Sequence, residues 1–330
     1  MTTHLRFVCG LAAVAVTGAA AYAQHMDGYE AGYDASPDGT DITGQPAGAD
    51  NPFYIPVVDS DPGLVYTYMD NALKIPANPT GGKNFVGGTG DDPVADPVPF
   101  ARAQRDVPYA IPGGRIKVAY DVLVTKIGAA STWQNIGSFS TQLVPGGGTF
   151  GHIDLFQWVD PADATMGWDG AMVWHDAGGA ALTEVVPEFT GQSNSTWYRR
   201  SNSFNLETNE ILKLSLTDIA TGEIVVHDAM GRYAVGGAVP GTTPTGFRYF
   251  VGCSGDFPEC TQGNTLAWDN LIITCYEDID EDGSVGFGDL LNTLTAWGPC
   301  PEGCPEDLDR SGDVGFSDLL SVLTQWGSCQ

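Results

Sequence analysis

The chain has 330 residues, 42% of them apolar, with 43 glycines, 21 prolines and a formal charge of −27. So acidic a balance disfavours nucleic acid and anionic membrane surfaces as partners, and the apolar share argues against a disordered chain. The opening MTTHLRFVCGLAAVAVTGAAAYAQ predicts an export signal: Arg6, an apolar run from Phe7 to Ala21, and the small-x-small site Ala21-Tyr22-Ala23 before Gln24. A retained anchor is the competing reading, but the run falls short of the ~20 residues of a spanning helix, and no later stretch comes closer. The expected division is a signal over 1–23, a long middle over 24–274 and a small tail over 275–330, in a protein secreted or held at the cell surface.

The middle shows period-two alternation and no sustained helical period. In RIKVAYDVLVT, Ile116, Val118, Tyr120, Val122 and Val124 share one face, and in ILKLSLT so do Leu212, Leu214 and Leu216. GEIVVHDA follows ILKLSLT after a short loop and predicts its hairpin partner. Further strands are expected at 151–159, 171–175, 247–253 and 266–274. Many short strands between Gly/Pro turns, without a βαβ rhythm, predict a mainly β protein built as a two-sheet sandwich.

The stretch DGYEAGYDASPDGTDITGQ (27–45) resembles the opening strand of exported concanavalin A-like jelly rolls, and FRYFVGC…LAWDNLIIT resembles their closing strands. The resemblance spans the middle of the chain and implies a jelly-roll β-sandwich of the lectin and glucanase kind, with carbohydrate as the implied ligand. Retaining glucanases of that fold carry two glutamates on one strand, with carboxyls about 5–5.5 Å apart. The nearest stretch here, GTFGHIDLFQW, holds Asp154 and His152 but no glutamate, and the pairs Glu184/Glu188 and Glu207/Glu210 lack the intervening aspartate. No nucleophile elbow or phosphate loop is present. The pairs His152/Asp154, His175/Asp176 and His227/Asp228 read first as strand-edge histidines. Trp133, Trp158, Trp168, Trp174, Trp197 and Trp268 read first as core, with a sugar-stacking platform as the alternative. Asp269-Asn270 reads as a strand-end turn, with a structural calcium as the alternative.

Cys9 leaves with the signal, and six cysteines remain: Cys253, Cys260, Cys275, Cys300, Cys304 and Cys329. An even count in an exported chain predicts disulfides. Cys275 and Cys300 bracket one acidic repeat, and Cys304 and Cys329 bracket its copy, so pairing within each repeat is expected, with Cys253 joined to Cys260.

The tail repeats itself: DIDEDGSVGFGDLLNTLTAWGPC from Asp278 is followed by DLDRSGDVGFSDLLSVLTQWGSC from Asp307. Calcium takes six to eight oxygens, and a twelve-residue loop supplies them from positions one, three, five, seven and twelve, with glycine at six for the turn. The candidate ligands are therefore Asp278, Asp280, Asp282, Ser284 and Asp289 in the first loop. In the second they are Asp307, Asp309, Ser311, Asp313 and Asp318. Ser284 and Asp313 would bind through their carbonyls. Leu290, Leu291, Leu294 and Trp297, then Leu319, Leu320, Leu323 and Trp326, predict an amphipathic helix after each loop. The two units are expected to pack face to face and bury these leucines, with Val285 and Val314 paired across the loops.

A duplicated loop-plus-exiting-helix resembles the type I dockerin domain over 275–330, which implies two Ca2+ sites and a cohesin-like or other surface protein as partner. Phe287-Gly288 and Phe316-Ser317 stand where dockerins carry their cohesin-reading pairs, and neither helix has a basic residue. The leading expectation is a secreted, non-catalytic calcium-binding protein, with a carbohydrate-recognition sandwich and a docking or stabilising tail. A polysaccharide-degrading hydrolase or lyase with the same tail is the alternative. A structural cell-surface or matrix component is the third reading.

Overall fold

The structure is a computed structural model, and it describes residues 25–35, 38–55, 61–62, 64–69, 71–90, 101–106, 114–126, 134–142, 150–234, 246–252, 263–300 and 303–329. The signal expected over 1–23, Trp133, Cys253 and Cys260 lie outside these residues. The sandwich comprises β1 (His25–Asp27), β2 (Thr40–Asp41), β3 (Asp61–Pro62), β4 (Leu64–Thr67), β5 (Asn84–Thr89), β6 (Ala101–Asp106), β7 (Arg115–Lys126) and β8 (Asn135–Gln142). It continues with β9 (Phe150–Trp158), β10 (Trp168–His175), β11 (Ala181–Val185), β12 (Trp197–Asn205), β13 (Glu210–Asp218), β14 (Ile224–Asp228), β15 (Gly246–Val251) and β16 (Asn264–Cys275).

One sheet runs β14-β13-β12-β7-β16-β5-β4-β2, with β1 beside the far end of β16; the other runs β11-β10-β9-β8-β15-β6-β3. Pairing is antiparallel except between β3 and β6. The alternating faces read from the sequence turn inward: Ile116, Val118, Tyr120, Val122 and Val124 join Leu212, Leu214 and Leu216 in the core. Rings from the two sheets meet there, Tyr120 with Phe139 at 4.1 Å and Tyr249 with Trp268 at 4.7 Å between centroids. The expected hairpin is present, with Thr217 opposite Ile224. The protein is thus mainly β, a sandwich of antiparallel sheets with a small helical C-terminal part.

The tail adds α1 (Phe287–Thr295) and α2 (Phe316–Thr324), with short strands β17 (Ser284–Val285), β18 (Gly298–Pro299), β19 (Asp313–Val314) and β20 (Gly327–Ser328). Each repeat pairs with the other: β17 with β20 and β18 with β19. Cys300 donates its N–H to Gly312 as Cys329 does to Gly283, so an internal dyad relates the halves. This crossing corrects two expectations. Val285 stands opposite Gly327 and Val314 opposite Gly298, so the valines are buried but not paired with each other. Among the described residues the disulfides are Cys275–Cys329 and Cys300–Cys304, not one within each repeat. The crossed strands carry Cys329 back to the end of β16, where Cys275 waits. Cys300 and Cys304 flank a turn in which Gly303 donates to the Cys300 carbonyl.

The leucine expectation is also corrected. Asp289 and Asp318, third residues of their helices, turn back to accept the N–H groups of Gly286 and Gly315, each at 2.7 Å. That contact fixes the rotation of each helix. Positions one turn on, Thr293 and Val322, therefore face inward and are fully buried. Leu290 and Leu319 are half-buried, whereas Leu291, Leu294, Trp297, Leu320, Leu323 and Trp326 stay about half exposed.

Candidate metal centres and the groove on the opposite sheet

Each loop is shaped by backbone before any ion is considered. Glu281 and Arg310, fourth in their loops, both have φ of 60°, and the glycines at position six, Gly283 and Gly312, have φ of 94° and 86°. These left-handed residues curl the chain so that alternate side chains converge. Asp278, Asp280 and Asp282 bring oxygens within 4.8 Å of one another, as do Asp307, Asp309 and Asp318, so either triad could hold a metal ion. Asp278 accepts from the N–H groups of Asp282 (3.1 Å) and Gly283 (2.9 Å), and Asp307 accepts from Ser311 and Gly312, each at 3.0 Å.

The other predicted ligands are placed differently in the two loops. Asp289 is turned to the backbone, accepting from Ile279 at 2.5 Å and Asp280 at 3.2 Å, and it lies outside the first triad. Asp318 makes the matching contacts to Leu308 and Asp309, yet reaches the second triad as well. The Ser284 hydroxyl donates to Asp282, and the Ser311 hydroxyl donates to the Asp313 carbonyl. The donor set fits a hard cation: it is all oxygen, and it is electrostatically strained as it stands. Burial pushes Asp278 up to about 6, with Lys117 partly offsetting it, and burial also raises Asp280 and Asp307. A divalent ion would relieve that strain.

The loops are tied to the outer face of the larger sheet. Lys117 on β7 donates to the Asp278 carbonyl, and Lys213 on β13 donates to the carbonyls of Asp307 and Cys304. Glu281 takes hydrogen bonds from Ser201 (2.7 Å) and Arg199 (3.4 Å); Arg310, its counterpart, reaches Glu210 (3.1 Å) and Asp228 (3.6 Å). Arg115 pairs with Glu277. Sequence reading missed this belt because the partners lie 80 or more residues apart in the chain.

On the other sheet, the outward residues of β6, β8, β9 and β15 line a groove of about 250 Å³. Ser138, Ser140, Ile153, Leu155, Arg102, Arg248 and Phe250 form its walls. The Arg102 guanidinium lies over the Phe250 ring at 4.9 Å. Burial, with Arg102 nearby, pushes Arg248 down to about 9. Among the described residues lining the groove there is no carboxylate, histidine or tyrosine.

The remaining candidates resolve as structure. His152 and Asp154 lie between the sheets, not at an edge. Asp154 accepts from His152 (2.8 Å), Arg200 (2.7 and 3.1 Å), Tyr120 (2.6 Å) and Asn202 (2.5 Å). Burial alone would raise its pKa, but Arg200 and then His152 hold the carboxyl well below the usual range. His227 pairs with Glu188 at 2.9 Å, and Asp176 accepts from Ala180 within a turn. Trp158, Trp168, Trp197 and Trp268 are buried, and Trp174 is half-buried under Arg232. Asn270 bulges β16 with φ of 47°, and Asp269 accepts from Tyr68 at 2.6 Å. Asp121 opposite is filled by donors from Arg199, Asn78 and Asn270, each at 2.7 Å, and Thr80 at 3.0 Å. Asp121 and Asp269 are thus held in a hydrogen-bonded strand-end network.

No protein-family model matches the chain, and no curated protein does. Among solved structures it is similar to the endo-β-1,4-glucuronan lyase of the fungus Trichoderma reesei, with TM-score 0.38 and 12% identity over 71% of this chain and 93% of that one. It is also similar to alginate lyase vAL-1 from Chlorella virus, with TM-score 0.37 and 14% identity over 64% and 91%. A third is the GH131 β-glucanase catalytic domain of Podospora anserina, with TM-score 0.34 and 10% identity over 59% and 73%. These likenesses are slight, and the sandwich rests on its own strand order.

Proposed function

We propose that this is an exported calcium-binding protein that recognises carbohydrate on the outer face of its seven-stranded sheet. Its tail, loaded with two calcium ions, braces the opposite sheet and serves as a docking element for another surface protein, cohesin-like or otherwise. The observation that carries the reading is the division of labour between the two faces. The tail covers the outer face of β7, β12 and β13, while the groove on the other sheet is lined by Phe250 under Arg102 and by the largely buried Ser138, Ser140 and Arg248. Apolar walls with a few placed polar groups are the ordinary make-up of a small-ligand cleft. The two disulfides suit an oxidising compartment.

A second reading is a polysaccharide-degrading enzyme, in which Arg102 and Arg248 would hold the carboxylates of an acidic sugar as cations in the groove. A panel of neutral and acidic polysaccharides, incubated with the purified protein in calcium, separates the readings. Retention without turnover supports recognition, and new reducing or unsaturated ends support the enzyme. Neither outcome with any polysaccharide would leave a structural cell-surface component.

A further inference from the structure

The helices leave an apolar face uncovered. Phe287, Leu291, Leu294 and Trp297 follow one another along α1 and just past it, and Phe316, Leu320, Leu323 and Trp326 repeat the stripe on α2. Both phenylalanines are 71% exposed and the other six are 48–52% exposed. Together they present on the order of 800 Å² of apolar surface. Summed over the two helices, that matches the ~800 Å² that each partner contributes to a stable interface.

We infer that these stripes are the interface of a homodimer, in which α1 and α2 of two copies stack into a four-helix bundle. Three observations select a second copy over another occupant. First, the area is what a standard dimer needs. Second, α1 and α2 carry one ionisable side chain each, Asp289 and Asp318, and both are buried in their loops. The stripes of two copies therefore bring no charges of their own to the contact, and the exposed loop aspartates such as Asp280 stand at its edge, on a chain that carries −27. Third, the dyad that relates the two repeats also relates the two stripes, so α1 of one copy can lie against α2 of the other and the reverse, the reciprocal pattern of a twofold contact. The helices must form for the interface to exist, but no particular sugar need bind, so this inference goes beyond the carbohydrate reading and can fail separately from it.

The charge distribution sets the sign of the salt effect. Repulsion between two acidic chains is screened by salt, while apolar burial is not. Association should therefore tighten from low to moderate ionic strength, opposite to a contact made with a basic partner.

The test is sedimentation equilibrium of the full chain in millimolar calcium, over micromolar concentrations and at two salt levels. The expected result is a monomer–dimer equilibrium that tightens with salt. The double variant Leu291→Glu/Leu320→Glu should weaken it by about 100-fold or more, since unpaired charges would be buried. Leu182→Glu, an exposed change on β11 away from the stripes, should leave it unchanged. Should the double variant misfold, hydrogen exchange of the unaltered chain decides instead, with protection of α1 and α2 alone rising with concentration. A monomer throughout, a dimer indifferent to the double variant, or helix protection independent of concentration would each overturn the inference.

Discussion

Lys117, on the outer face of β7, donates its ammonium group to the backbone carbonyl of Asp278, the first residue of the first acidic loop. Lys213 on β13 does the same for Asp307, the first residue of the second loop. In the larger sheet β7 and β13 flank β12, so the internal dyad of the tail is met by two lysines with one strand between them. The chain has only 14 lysines and arginines, yet Arg115, Lys117, Arg199, Lys213 and Arg310 all serve this contact. A ligand that orders the loops must therefore stabilise the sandwich through them.

Replacing either lysine by methionine keeps most of the packing and removes the donor. Each change strands a buried carbonyl, which costs about 1–3 kcal/mol. Lys117→Met and Lys213→Met should each lower the thermal midpoint in calcium and shrink the gain in midpoint between chelator and calcium. Thermal scans with and without chelator check this. An unchanged gain would show that loops and sandwich are energetically independent.

The two loops should differ in affinity. The first has aspartates at positions one, three, five and twelve, whereas the second has Ser311 at its fifth position, and greater ligand charge favours tighter binding. Calorimetric titration should show two ions per chain, with the second loop filling last and emptying first on chelation. Asp278→Asn should remove the tighter event and Asp307→Asn the weaker. Two equal affinities would contradict the ranking.

The parts legible in sequence are those with a period or a repeat. The inward faces of β7 and β13 follow from alternation alone, and the loops follow from duplicated spacing. The disulfide pattern was misread because pairing was assigned within a repeat, whereas the repeats interlock by crossed strands, and the return of Cys329 to Cys275 leaves no local mark. The leucine stripes were misread because Asp289 and Asp318 cap their own helices and so set which face turns inward. The Asp154 network was equally hidden, because its donors come from β7, β9 and β12 on two different sheets.

That network makes a sharp stability prediction. Asp154→Asn leaves Arg200 buried without its countercharge, at a cost of about 3–5 kcal/mol. Joint replacement by apolar residues of similar volume, Asp154→Leu with Arg200→Met, should recover much of the loss. Because the folded carboxyl is held below its unfolded value, the network's contribution is complete above pH ~4 and fades only as pH falls further. Denaturant midpoints of the variants from pH 3 to 7 measure this, and a loss appearing already at pH 6 would contradict the assignment.

Asp269 should behave in the opposite way. Burial pushes its carboxyl up to about 7, so the folded chain holds a proton that the unfolded chain has released between pH ~4 and 7. Its contribution to stability therefore falls as pH rises through that window. Asp269→Asn removes the titration, and the difference between variant and parent should move in favour of the variant from pH 5 to pH 8. Parallel stability curves for the two proteins would rule the assignment out.

The Cys275–Cys329 bridge spans 54 residues and encloses both loops and both helices. In the chain-entropy model a closure of that length contributes about 4 kcal/mol, and for so small a tail this rivals what its core can supply. Cys300–Cys304 spans only 4 residues and should contribute far less. Replacing Cys275 and Cys329 by serine should leave the tail dependent on calcium for its fold, with helical signal lost on chelation while the sandwich persists. Replacing Cys300 and Cys304 should shift the midpoint only slightly. Peptide mapping under non-reducing conditions tests the premise directly, because Cys275 linked to Cys300 would return the molecule to pairing within each repeat and remove the reason for the difference.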